Sequence, residues 1–151
     1  YIVYGKLLET TGIKLYNSAT NLSSVYSAFD IPNTTYRYLT DAAADIDIVE
    51  NTDNSPIFLG KFRSLNSTLF VKAPSTFSYS NATDTQVAKY FAQGTSFSET
   101  PDSIKIGDIY LVQLRGNAAS TAVMKIMYVS PENGKTGAGY NNEYFIFNIK
   151  K

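Results

Sequence analysis

Three apolar segments joined by short polar links fill the last third of the sequence, and they leave it few ways to fold. In Ile104–Leu114, Ile109, Leu111 and Gln113 fall on one face of an extended chain, and Tyr110, Val112 and Leu114 on the other. Apolar side chains on both faces are the mark of a central strand covered from two sides. Gly107-Asp108 interrupts the run and predicts a bulge or a turn before the strand proper. Arg115–Ser120 reads as a hairpin loop and Ala122–Val129 as the returning strand. A Gly-rich loop over Pro131–Gly139 then leads to a last strand, Glu143–Lys150, with Phe145, Phe147 and Ile149 on one face. Three successive strands with short connections predict an antiparallel meander.

The N-terminal half carries shorter strand candidates at Tyr1–Leu8, Ile13–Tyr16, Thr35–Leu39 and Asp45–Glu50, with weaker ones at Ile57–Leu59 and Thr68–Val71. One helix stands out. Thr83 or Asp84 caps it, Val87, Tyr90 and Phe91 line one side, and Gly94 ends it. A second short helical turn is expected over Thr40–Ala44. Two stretches rich in Ser, Thr and Asn, Asn17–Thr35 and Ser64–Thr85, suit long exposed loops, because these side chains bond their own backbone in turns. The expectation is a mainly β protein, an antiparallel, sandwich-like sheet assembly with one or two short helices. It forms a single domain over residues 1–151, standing alone or as one module of a longer surface protein.

A chain of 151 residues buries roughly 70% of its unfolded surface on folding, so it needs neither metal nor disulfide to hold a core. The formal net charge is zero, which argues against a nucleic-acid partner, since phosphates demand a basic surplus. Cysteine and histidine are both absent. That removes Ser-His-Asp and Cys-His catalysis and the usual zinc sites. Neither GxxxxGK[ST] nor GxGxxG occurs, so no phosphate cradle is expected. We expect no cofactor and no enzymatic activity.

Carboxylates are the remaining route to catalysis or metal binding. If Asp45–Glu50 is a strand, Asp45 and Asp47 share its face and could form an acid/base pair or give oxygens to calcium, with Asp53 close by in sequence. The Asp-x-Asp-x-Asp-Gly spacing of a calcium loop is missing, and the plainer reading is a solvated strand face with Ile46 and Ile48 turned inward. The composition holds twelve Tyr and nine Phe but no Trp. Most will serve sheet packing. Tyr26, Tyr36, Tyr38, Tyr79 and Tyr140 lie in or beside the polar stretches and loops, and they are the ligand-contact candidates because a tyrosine offers both an apolar ring and a polar tip.

Four segments carry a family likeness: Ala44-Asp45-Ile46-Asp47-Ile48, Ile106-Gly107-Asp108-Ile109-Tyr110-Leu111-Val112, Ala122-Val123-Met124-Lys125-Ile126 and Glu143-Tyr144-Phe145-Ile146-Phe147. Across roughly the last two thirds of its length the chain resembles secreted domains and surface lipoproteins of Bacteroidota. One branch of similar architecture, the HmuY-like haem-binding lipoproteins, holds haem iron between two axial His or Met side chains. This chain has no His, and Met124 and Met127, three apart on a strand, face opposite sides. The ligands therefore do not carry over, although a Tyr ligand stays chemically open. The resemblance implies an extracytoplasmic domain of the cell envelope or exterior, tethered by a lipid on a residue outside this sequence. The function expected is non-catalytic binding or scaffolding with a protein or glycan partner. The alternatives are a carrier of a small hydrophobic ligand of the haem type and a carbohydrate-binding module.

Overall fold

Strict alternation shapes the last strand: Phe145, Phe147 and Ile149 are buried, and the residues between them are half-exposed. The same rule organises the rest of the computed structural model, which describes residues 6–17, 25–50, 57–131 and 143–151. Within these residues run β1 (Glu9–Tyr16), β2 (Ala28–Asp30), β3 (Thr35–Arg37), β4 (Ile48–Glu50), β5 (Phe62–Arg63), β6 (Leu69–Lys72), α1 (Asp84–Gln93), β7 (Ile109–Gln113), β8 (Thr121–Val129) and β9 (Tyr144–Lys150). They form a five-stranded sheet of order β1-β9-β8-β7-β6 and a four-stranded sheet of order β3-β2-β4-β5. Every pairing is antiparallel. The meander β7-β8-β9 is the one expected, and the protein is mainly β and sandwich-like. No helix among the described residues is long and apolar enough to cross a membrane.

The two sheets enclose a core to which β7 gives Tyr110 and Val112, β9 gives Phe145 and Phe147, and the second sheet gives Phe29, Ile48 and Phe62. On the other face of β7, Leu111 joins Val71, Val123 and Val87 of α1. This is why β7 is apolar on both sides: a sheet covers one and a helix the other. Burying Val87 in full contributes about 1.5–3 kcal/mol. The helix begins where the sequence says it should. Gln86 donates its backbone N–H to Thr83 Oγ1 (3.2 Å), and Thr83 N–H donates to Gln86 Oε1 (3.3 Å), a reciprocal cap. Gly94 closes the helix for a reason other than the expected one. Its backbone is extended rather than left-handed, and a Cβ there would collide with Val71.

Backbone hydrogen bonds stitch both seams between the sheets. On one side, residues 97–100 bond β5 through Ser64 N–H to Ser98 O and Thr100 N–H to Phe62 O, and β6 through the reciprocal pair Phe70 and Phe97. On the other, Tyr16 N–H donates to Tyr26 O (3.0 Å) and Lys14 N–H to the Tyr36 hydroxyl (3.0 Å). Outer edge groups that would otherwise invite pairing with another chain are thereby occupied.

Several expectations shift. The polar stretch Asn17–Thr35 contains a buried strand, β2, and β5 lies where none was expected. Ile57–Leu59 is not a strand, β1 begins at Glu9, ahead of the expected Ile13, and of the Tyr1–Leu8 candidate residues 1–5 lie outside the described residues while Leu7 and Leu8 are not in a strand. Gly107 takes the turn option, with φ of 92°. Met124 is buried and Met127 exposed, facing apart as their spacing predicts.

Candidate functional site

Odd and even residues of β1 part company: Ile13 and Leu15 enter the core, while Lys14 and Tyr16 face outward. Tyr16 stands opposite Tyr144 on β9, and their rings meet edge to face with centroids 5.7 Å apart. Tyr128 on β8 adds a ring 5.5 Å from Tyr144. Across the seam, Tyr26 stacks on Tyr38 at 4.7 Å and lies 5.1 Å from Tyr36. Lys14 joins the two groups. Its backbone N–H bonds the Tyr36 hydroxyl, and its ammonium lies 4.0 Å from the Tyr144 ring centroid and 5.0 Å from that of Tyr16. Contact with the Tyr16 hydroxyl, followed by the nearby Tyr144 and Tyr36, raises the Lys14 pKa and keeps it charged. The pKa of the Tyr38 hydroxyl is also raised, chiefly by the neighbouring Tyr26 hydroxyl. Six tyrosines around one lysine thus form a continuous face at one corner of the sandwich, with Tyr26 and Tyr128 the most exposed, at 43% and 39%.

At the opposite end lies a charge network that reaches from one sheet to the other. Asp47 sits just before β4 and is fully buried. It accepts five hydrogen bonds, from Arg115 Nε and Nη2, Asn66 Nδ2, Thr68 Oγ1 and the Ile31 N–H, all between 2.8 and 3.0 Å. Asp30, also buried, accepts from Arg37 at 2.7 Å, from Arg115 at 3.2 Å and twice from Asn33. Burial would push the Asp30 carboxyl up, but the bonds from Asn33 and Arg37 and the charge on Arg115 outweigh it and hold it below the usual carboxylate value. Arg115 reaches this position only because it adopts a left-handed backbone, φ 51° and ψ 40°. That conformation costs a non-glycine residue about 1–2 kcal/mol, which the carboxylate contacts offset.

Two expectations about the acidic residues are therefore corrected. Asp45 ends a short 3-10 turn at Ala43–Asp45 and does not share a strand face with Asp47. Asp47 is not solvated but buried, with both oxygens engaged and two of the bonds coming from Arg115. Asp53 lies outside the described residues, as does Tyr140. Among the described residues, no group of three or more His, Cys, Asp or Glu side chains could hold a metal ion.

The structure gathers Tyr26, Tyr36 and Tyr38 and sets Tyr79 apart. Tyr79 is buried in the helix-side cluster, and its hydroxyl donates to Glu9 Oε2 (2.8 Å). Burial, then the Glu9 carboxylate, drives its pKa far above the ordinary phenol value. The sequence reading missed Lys14, Tyr16, Tyr128 and Tyr144. Their outward alternation was legible, but the pairing of β1 with β9 across most of the chain was not. An open groove of about 410 Å3 is lined by Lys72, Ala73, Pro74, Ser75, Gly107, Asp108 and Ile109, a mixed polar and apolar wall without an aromatic ring. No family model, curated protein or solved structure matches this chain.

Proposed function

We propose that this domain is a non-catalytic binding module of a bacterial surface protein, acting outside the cytoplasm, and that its contact surface is the tyrosine face. One observation carries the reading: six tyrosines assemble around Lys14 on a single exposed corner. Clustered tyrosines supply large, rigid, amphipathic contact area at low entropic cost, which is what protein-binding surfaces use. Only Tyr26 and Tyr38 stack face to face, and the other pairs meet edge to face or tilted, so the face offers rings at several angles, an arrangement that suits a polypeptide partner. The surface location rests on the resemblance to envelope proteins of Bacteroidota. The non-catalytic part rests on the missing His and Cys and on the saturation of Asp47 and Asp30.

A glycan is the second reading, favoured by the exposure of Tyr26 and Tyr128, whose rings could stack on sugars. Both are tested with a Tyr26→Ser/Tyr38→Ser variant compared with the wild-type chain on a glycan array and against fractionated envelope proteins. The expected result is a specific wild-type partner whose binding weakens at least tenfold in the variant while the fold persists. A partner bound equally by both chains would overturn the assignment of the face. A sugar hit would decide for the glycan reading.

A further inference from the structure

At the tyrosine end of the sandwich the inward-facing series changes character on four strands at once. On β1 the series runs Ile13, Leu15 and then Asn17; approaching β2 it runs Ile31, Phe29 and then Ser27. On β4 it passes from Ile48 to Glu50, and on β9 from Phe147 and Phe145 to Glu143. All four polar residues are at most 3% exposed. Backbone bonds hold them at one level: Asn17 N–H donates to Glu143 O (3.0 Å) and Glu50 N–H to Ser27 O (2.8 Å), and Tyr16 to Tyr26 links the two pairs.

Two members of this layer lack partners. Among the described residues, both carboxylate oxygens of Glu143 and the Ser27 hydroxyl oxygen have no hydrogen-bond partner. A buried ionised carboxylate without a donor is strongly unfavourable, and such groups in native proteins are paired or bind a metal. The layer offers oxygen only, from two carboxylates, an amide and a hydroxyl, with no nitrogen or sulfur ligand type in the chain beyond surface methionine and the core Met124. Oxygen-only sets select hard cations. Ca2+ accepts roughly six to eight oxygens in flexible geometry, whereas Mg2+ insists on octahedral order and keeps several waters, which a closed layer of this kind does not favour.

We propose that Asn17, Ser27, Glu50 and Glu143 supply oxygens to a buried calcium ion at this end of the core. The site is separate from Asp45, Asp47 and Asp53 and stands whether or not the tyrosine face binds a partner.

The test uses the full chain stripped with a chelator, with Ca2+ as ligand and Tb3+ as a luminescent substitute that nearby tyrosines sensitise. The wild-type chain is expected to gain several degrees in melting temperature with millimolar Ca2+, and to give Tb3+ emission that Ca2+ displaces. Glu143→Gln should weaken binding at least tenfold and Ser27→Ala severalfold, while Asp45→Asn leaves it unchanged. If Glu143→Gln does not fold, Ser27→Ala carries the same reading. A wild-type chain that melts identically with Ca2+ and with chelator, or a Glu143→Gln chain that binds as tightly, would overturn the site. So would a Glu143→Gln chain that melts higher than wild type with no ion dependence, since that marks Glu143 as a neutral buried acid.

Discussion

The two ends of the sandwich bury carboxylates in opposite ways. At one end Asp47 and Asp30 are surrounded by donors, and every oxygen is engaged by Arg115, Arg37, Asn33, Asn66, Thr68 or backbone. At the other, Glu143 is nearly as deeply buried, yet nothing in the described residues bonds its carboxylate. Burial alone therefore does not report a role. A saturated carboxylate is part of the framework and has no valence left for a ligand. A bare one is where an outside partner is needed.

Removal of a carboxylate should expose this contrast most sharply at Asp47. Asp47→Ala leaves the buried Ile31 N–H and Thr68 hydroxyl without their acceptor, while the partly exposed Arg115 keeps Asp30, and each buried group so orphaned costs about 1–3 kcal/mol. Chemical denaturation should show a loss of that size or no folded protein. Glu143→Leu should act in the opposite direction when the chain is metal-free. It removes an unpartnered buried carboxyl group and should stabilise by about 1–3 kcal/mol, and it should abolish any gain from Ca2+. If both substitutions destabilise equally, the distinction between the two ends fails.

A smaller effect should follow pH. The folded pKa of Asp30 lies below its ordinary value of 3.8. Its contribution is therefore complete above that value and is lost as pH falls through the lower folded one. Denaturation midpoints should stay level from neutral pH to about pH 4 and decline below, and Asp30→Asn should flatten that acid limb. The smallest stability change belongs to the binding face. Tyr26→Ser removes a partly exposed ring and should stay within about 0.5–1 kcal/mol in a thermal melt, although it removes part of the proposed contact surface.

What the sequence conveyed depended on how far apart the interacting residues are. The meander, the capped helix and the two-sided burial of β7 rest on neighbours in sequence, and period and capping revealed them. The short strands β2 and β5 escaped because three and two residues carry too little alternation, and β2 is set in Ser- and Asn-rich sequence that favours turns. The Asp-Ile-Asp segment misled for a related reason. Strand geometry would put Asp47 outward, but Arg115, 68 residues away, and the interruption after Asp45 decide its environment. Tyr26, Tyr36 and Tyr38 were legible as candidates from composition. Their company with Tyr16 and Tyr144 depends on a strand pairing that no local pattern announces.

That pairing also fixes the order of assembly. β1 lies between β9, with Glu9 opposite Lys150, and the contacts from Tyr26 and Tyr36. Among the nine strands of the described residues it leaves the ribosome first, and its sheet partner leaves last. Until β9 emerges, β1 lacks the sheet neighbour that sets its register, and closing a loop that spans nearly the whole chain carries an entropic cost that slows the step. The strand that carries Lys14 and Tyr16 is thus the last to find its place, and during synthesis it is the segment most in need of protection from other chains.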